Sequence, residues 1–231
     1  MSETTAVAIL PARGGSKRIP RKNVRPFAGR PAIHWPIAAV RASGLFDRIV
    51  VTTDDDEIAE AAEAAGAEVP FRRGADLSDD HAGTTEVIAD AVTRLGLKGD
   101  IPVCCLYPTA FFVTPDDLIA GHAALGEGAT WALSLGEYRT PIQRAYRRAT
   151  GGRVAAMDPA QMPRRSQDLE PAFYDAGQFY WARATTWADP AARVWDGAAA
   201  VVLPDERCID VDTPEDWTRA ERLADLLGLG A

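Results

Sequence analysis

The sequence predicts an α/β fold, a three-layer sandwich whose mostly parallel sheet carries helices on both faces, with a β-hairpin region inserted late in the chain. Three observations carry this expectation. Short apolar runs alternate with helical stretches through the first 125 residues, the pattern of repeated βα units. The runs are continuously apolar, as strands buried on both faces are. After about Gly136 the alternation gives way to a Gly-Gly turn flanked by alternating residues.

The elements follow in order. Residues 6–10 form a buried strand, 31–43 a helix ended by Gly44, with Pro36 delaying its regular part, 48–53 a strand and 57–65 a helix stopped by Gly66. Residues 68–72 make a short strand, 85–95 a helix behind a Gly83-Thr84 cap region, 101–107 a buried strand and 115–125 a helix N-capped by Thr114. A hairpin follows over 144–154 around Thr150-Gly-Gly152, then a polar loop over 161–168 and an aromatic-rich strand over 173–183. Strands at 199–203 and near 208–211 lead to a last helix over 214–227, with Thr213 as its N-cap. This is one domain, 1–231, with an insertion over about 138–187.

Composition excludes several classes. The formal net charge is −8, against extended nucleic-acid binding, because the basic residues form one local cluster. There is no apolar signal region and no run of about 18 apolar residues, so no membrane association is expected. Of three cysteines, Cys104 and Cys105 are adjacent inside an apolar run. That is neither a disulfide framework nor a metal-ligand spacing, and it suits buried thiols in a reducing cytoplasm.

Two constellations carry chemistry. Between Arg13 and Phe46 stand eight Lys or Arg and no acid, starting just after the first strand. Gly14 and Gly15 let the backbone turn tightly and aim N–H groups inward, while Arg13, Lys17, Arg18, Arg21 and Lys22 supply cations for a triphosphate. Asn23 adds an amide for ribose or base. A charge run is more often a solvated loop, but the glycine pair and the place after strand one favour phosphate. The second constellation is Asp210-Val-Asp212, two carboxylates projecting to one side of a strand end. Strand-end turn acids and a divalent cation site explain that pair equally well on its own; a polyphosphate loop in the same chain favours the cation. Glu215 and Asp216 complement the dipole of the helix they begin. Together the elements point to nucleotidyl or glycosyl transfer.

The segments Ala12-Arg-Gly-Gly-Ser-Lys-Arg-Ile-Pro-Arg-Lys-Asn23, Val51-Thr-Thr-Asp54, Leu77-Ser-Asp79 and Ile209-Asp-Val-Asp-Thr-Pro-Glu-Asp-Trp217 resemble those of the acylneuraminate (sialic-acid) cytidylyltransferases. Pro70-Phe-Arg-Arg73, Gly83-Thr-Thr-Glu-Val-Ile88, Val103-Cys-Cys-Leu-Tyr-Pro-Thr-Ala110 and Phe173-Tyr-Asp-Ala-Gly-Gln-Phe-Tyr-Trp181 resemble, more narrowly, the pseudaminic acid branch of that family. The resemblance implies a Rossmann-like, GT-A-like nucleotidyltransferase that joins CTP to a nine-carbon 2-keto sugar acid, releasing pyrophosphate. It implies that Arg13 and Lys22 bind the phosphates, that Ser16, Asn23 and Arg73 contact the nucleotide, and that Asp210 and Asp212 hold Mg²⁺ or Mn²⁺. Asp212 would help deprotonate the attacking hydroxyl.

On the acceptor side the resemblance places Tyr107 and Thr109 at the mouth of the central strand. Arg164 or Arg165 would clamp the sugar carboxylate, and Tyr174, Asp175 and Gln178 would read its substituents. Phe173, Phe179 and Trp181 are expected to pack. Resemblance also implies a homodimer, with 138–187 reaching to the partner. One departure is Phe111-Phe112 after Pro108-Thr-Ala110, where the family commonly has proline, which puts the acceptor in question more than the reaction. Sialic, legionaminic and 3-deoxy-octulosonic acids stay open as acceptors. A GT-A-type glycosyltransferase and a non-catalytic nucleotide-binding module are the rival readings.

Overall fold

The computed structural model describes residues 6–79 and 82–230. In chain order its elements are β1 (Ala6–Pro11), β2 (Pro26–Phe27), β3 (Arg30–Pro31), α1 (His34–Ser43), β4 (Phe46–Thr52), α2 (Asp56–Ala64), α3 (Thr84–Arg94), β5 (Pro102–Leu106), α4 (Pro115–Gly126), β6 (Trp131–Glu137), β7 (Tyr146–Arg148), β8 (Val154–Ala156), β9 (Phe173–Arg183), α5 (Ala184–Ala188), β10 (Ala198–Val202) and α6 (Pro214–Leu227). The main sheet has the order β10-β6-β9-β5-β1-β4. Its pairings are parallel except those of β9, which runs antiparallel to both β5 and β6.

The continuous apolar run of β1 follows from its central place. Ala6, Ala8 and Leu10 face a layer containing α1, α2 and α4, while Val7 and Ile9 face a layer containing α3 and α5. The helices start where the caps dictate. Thr114 and Thr213 each accept from the backbone N–H three residues on, and Asp117 and Asp216 bond back to them. Each such cap is worth about 1 kcal/mol.

A third cluster decides where the chemistry sits. Phe27 stacks on Phe111 at 4.0 Å and meets Trp217 edge-on at 5.6 Å, with Phe112, Ile19 and Val211 around them. Burying each ring contributes roughly 1.5–3 kcal/mol. The cluster thereby clamps the loop after β1, the loop after β5 and α6 together. Phe111 and Phe112 are therefore core residues rather than the floor of an acceptor site.

Some expectations need correction. Residues 68–72 form only isolated bridges, Val50 to Glu68 and Thr53 to Arg72. Residues 208–211 lie outside the sheet, and their carbonyls at Ile209 and Val211 are taken by the side chains of Gln178 and Lys22 instead of a ladder. The insertion is also shorter: β9 is an interior strand of the main sheet, so the arm that leaves the domain spans 138–172, with β7 and β8 pairing antiparallel inside it.

Candidate active site

The parallel strands β1, β4 and β5 end at one edge of the sheet. The chain crosses from β1 to β4 on one side and later adds β5 on the other, so their loops diverge and open a crevice there. Antiparallel β9 begins at that same edge and adds its first half to the wall. The crevice holds a cavity of about 260 Å³ lined by Arg13, Ser16, Lys17, Arg18, Lys22, Asn23, Arg73, Tyr107, Thr109 and Asp212, among others. A second cavity of about 360 Å³ shares Lys22, Tyr107, Thr109 and Asp212 with it and adds Asp175, Gly177, Tyr180 and Asp210.

The basic loop is fastened by long-range bonds. Gly14 N–H donates to Asp54 Oδ1 at 2.9 Å, Asn23 Nδ2 to the Arg13 carbonyl at 3.0 Å, and Arg13 Nη1 to the Asp79 carbonyl at 2.8 Å. Arg21 pairs with Asp55 and Glu57 at the start of α2. Gly14 is required by proximity, since a Cβ there would stand 2.7 Å from Asp55 Oδ2, whereas Gly15 has open space. The expectation that both glycines aim N–H groups at a ligand is corrected: the Gly14 N–H is spent on Asp54, and neither residue lines the cavities.

Opposite lies the acid pair. Lys22 Nζ donates to the Val211 carbonyl at 2.7 Å and stands 3.5 Å from Asp212 Oδ1. Arg18 Nη2 reaches Asp212 Oδ2 at 2.8 Å. The Asp210 carboxylate packs against Gly177, whose left-handed φ of 60° is what calls for glycine there, since a Cβ would meet Asp210 only at ordinary contact distance. Burial pushes the Asp210 carboxyl above its usual range and Asp212 adds to this, against the pull of Lys22. Such a pair fits a hard divalent cation that keeps water and phosphate oxygens as its other ligands. Among the described residues no cluster of three His, Cys, Asp or Glu forms an all-protein cage. Asp216 stays with the helix cap, as expected: burial works to raise it, but hydrogen bonds from Thr213 hold it low.

Arg73 stands at the inner end of the first cavity. Its side chain is 3% exposed, with Nη2 3.7 Å from Asp54 Oδ1. Nε and Nη2, the two parallel donors of one guanidinium edge, have no hydrogen-bond partner. Elsewhere that edge is filled: Arg48 gives Nε and Nη2 to Glu68, and Arg165 to Asp168. Burial draws the Arg73 guanidinium below its ordinary value, with Asp54 acting against it. A desolvated cation with an empty fork is costly unless a ligand supplies acceptors.

On the wall of the second cavity, Tyr107 bonds Thr84 Oγ1 at 2.7 Å, and Tyr180 OH donates to Asp175 Oδ2 at 2.6 Å. Burial raises both phenols. Tyr107, Thr109 and Asp175 thus line the site, but Tyr174, Gln178, Arg164 and Arg165 do not. The cause is a bulge. Leu133 pairs with Tyr180 and Leu135 with Asp175, so four residues of β9, 176–179, stand opposite Ser134 alone, and Ser134 Oγ caps the excess through Gln178 N, Phe179 N and the Phe179 carbonyl. Asp175 and Tyr180 come to one face. Tyr174 instead packs over Gly136 and against Tyr138, and buried Gln178 ties Ala176 to Ile209. Arg164 and Arg165 sit on the arm, bound to Gln161 and Asp168.

Sequence reasoning missed Asp54, Thr84 and Tyr180 as site residues. Asp54 was findable, since it follows β4 at the functional edge; Tyr180 was hidden by the bulge. Phe179 and Trp181 are core, as expected, whereas Phe173 is 43% exposed. His34 bonds the Ala61 carbonyl and His122 packs on Trp181, both away from the cavities; His81 lies outside the described residues.

Residues 7–120 match the family model described as cytidylyltransferase. The chain is 38% identical over 220 residues to the pseudaminic acid cytidylyltransferase of Campylobacter jejuni, covering 94% of this chain and 95% of that one. It is 30% identical to the CMP-N,N'-diacetyllegionaminic acid synthase of Legionella pneumophila, covering 95% and 96%. Among solved structures, CMP:2-keto-3-deoxy-manno-octonic acid synthetase complexed with CTP superposes with a TM-score of 0.69 at 18% identity, covering 96% and 99%. The 4-diphosphocytidyl-2C-methyl-D-erythritol synthase of Anaerococcus prevotii superposes at 0.66 and 13%, covering 97% and 100%. These two bear on the fold alone.

Proposed function

The chain belongs to the cytidylyltransferase family, and from that premise we propose that it activates pseudaminic acid, a nine-carbon 2-keto sugar acid, with CTP. The anomeric hydroxyl attacks the α-phosphorus, a new P–O bond forms, the α–β anhydride breaks and pyrophosphate leaves. The observation that carries this reading is the pair of joined cavities, with the basic loop facing the acid pair across Lys22 and Asp212.

Arg13 and Lys22 neutralise the triphosphate, with Ser16 and Asn23 at the nucleotide. Arg73, whose Nε and Nη2 make no hydrogen bond beside Asp54, would give its donors to the adjacent O2 and N3 acceptors of cytosine. Uracil presents a donor at N3, so the same fork disfavours it. Mg²⁺, with Mn²⁺ as the alternative, would be held by Asp210 and Asp212 and would supply charge neutralisation and a more acidic acceptor hydroxyl. Asp212 then receives the hydroxyl proton. Tyr107, Thr109 and Asp175 face the acceptor, Asp175 oriented by Tyr180.

We place the enzyme in the cytoplasm as a homodimer. Among the described residues no helix is long and apolar enough to cross a membrane, and Cys104, Cys105 and Cys208 are free and buried. The arm exposes Tyr138, Ile142, Tyr146, Val154 and Met157, more apolar surface than a lone hairpin sustains. Its Arg164 and Arg165 would reach a partner's acceptor site.

The test is pyrophosphate release with CTP and Mg²⁺, comparing pseudaminic, legionaminic and N-acetylneuraminic acids. Turnover favouring pseudaminic acid is the expected result; turnover with another acid moves the acceptor assignment. CTP binding without turnover of any acid would overturn the transferase reading.

A further inference from the structure

The cations of the basic loop have different partners. Arg21 is committed to α2 through Asp55 and Glu57, and Lys22 rests on the Val211 carbonyl. Arg18 instead crosses the cavity mouth to Asp212 Oδ2 at 2.8 Å, while Lys22 Nζ stands 3.5 Å from Oδ1. Both oxygens of Asp212 therefore face a cation. Arg18 and Lys22 thus offset Asp212 and part of the negative charge that Asp210 and Asp175 bring to the same cavity.

A divalent cation arriving alone must displace a guanidinium from Asp212 and then sit beside two positive side chains. A polyphosphate changes this, because it gives Arg18 and Lys22 a stronger anionic partner. We infer that Arg18 is a positioning residue that latches Asp212 and makes cation binding at the acid pair depend on the nucleotide's phosphates. The inference rests on the metal assignment made above for Asp210 and Asp212. By linkage the coupling is reciprocal: bound cation frees Arg18 for phosphate as much as phosphate frees Asp212 for the cation.

The effect is modest, because Arg18 and Asp212 side chains are 64% and 42% exposed and exposed pairs are weak. Removing the latch should strengthen cation binding in the absence of nucleotide by about fivefold, the low end of ordinary coupling. The experiment is Mn²⁺ titration of the full chain by electron paramagnetic resonance, without nucleotide and with saturating CTP, no acceptor present. Arg18→Gln should bind Mn²⁺ about fivefold more tightly than the parent without nucleotide. Arg18→Lys, which keeps the charge, should stay near the parent, and Asp210→Asn should lose Mn²⁺ binding without nucleotide and weaken it with CTP, where the triphosphate also ligates the ion. Equal nucleotide-free affinity in Arg18→Gln and the parent, with Mn²⁺ still binding beside CTP, overturns the latch alone. Identical Mn²⁺ affinity in Asp210→Asn and the parent, without nucleotide and with CTP alike, overturns the metal assignment beneath it.

Discussion

The two ends of the site are built on different terms. The nucleotide end is fastened by bonds between distant parts of the chain, Gly14 to Asp54, Arg21 to Asp55 and Lys22 to Val211, over the closed aromatic cluster of Phe27, Phe111, Phe112 and Trp217. The arm at 138–172 carries a three-residue antiparallel pair of mostly exposed side chains; Arg139 reaches back to Asp205 and Arg144 spans the arm to the Met162 and Arg164 carbonyls, but Arg164 and Arg165 bond only their own neighbours. Fixed donors cost little reorganisation when charge develops; locally tethered ones must be positioned by something else. On the reading proposed above, one chain would supply the nucleotide contacts together with Tyr107, Thr109 and Asp175, and only Arg164 and Arg165 would need a partner's site to act on.

The comparison breaks most visibly at Lys22. Lys22→Ala should lower kcat/KM for pyrophosphate release about 10³-fold while leaving thermal unfolding within a few degrees. A loss under about tenfold would mean that the fastened loop is scaffold rather than catalyst. Arg73→Met comes next. It should cost about 10²-fold with CTP and much less with UTP, collapsing the base preference. Because the guanidinium it removes is desolvated, the fold should be no less stable; an unchanged CTP/UTP ratio would assign the empty fork to something other than the base.

A smaller effect tests the frame itself. Arg207 bonds the Phe112 carbonyl at 3.0 Å and forks onto Asp117, linking the loop after β5 to the segment before the acid pair. Burial works to raise Asp117, but Arg207 and Thr114 hold it below the usual carboxylate range. With side chains 18% and 11% exposed, breaking the pair by Asp117→Ala should cost about 2–3 kcal/mol at neutral pH. The sign of the pH dependence follows from the lowered value. The contribution is complete above the ordinary carboxylate pKa of about 4 and is lost as pH falls through the depressed one. Chemical denaturation of parent and variant should therefore differ most at pH 6–8 and converge in acid; a constant gap down to about pH 2 would contradict the assignment.

Much of this frame was legible because local rules and tertiary demands agreed. Thr114 and Thr213 were readable as caps, since Thr-Pro followed by an acid leaves few other uses for the hydroxyl. β1 was readable because burial on both faces needs an unbroken apolar run. The Gly151-Gly152 turn of the arm was readable for its left-handed φ values of 81° and 80°. The acceptor wall was not. A period-two reading of β9 cannot place Asp175 and Tyr180 on one face, and only the pairing with β6 and the Ser134 hydroxyl discloses the bulge that does so. Residues 208–211 look like a strand because Cys208, Ile209 and Val211 are apolar, yet the Ile209 and Val211 carbonyls are satisfied by side chains from elsewhere, which no local pattern encodes.

The smallest expected effect probes the arm. If Arg164 and Arg165 act on the acceptor of a partner subunit, Arg165→Ala should raise KM for the sugar acid about fivefold, as for the loss of one exposed charge contact, and leave KM for CTP unchanged. A simple structural role would instead move thermal stability or both constants together. Mixing sharpens the assignment. Lys22→Ala chains lack the nucleotide end but keep their arms; Arg165→Ala chains have the reverse. In a mixed dimer, an arm crossing to its partner puts both lesions at one site and leaves the other whole, so the mixture should recover parental KM for the acid at half the sites. An arm serving its own chain would leave every working site with the raised KM, and the two ends of the site would then both be built within a single chain.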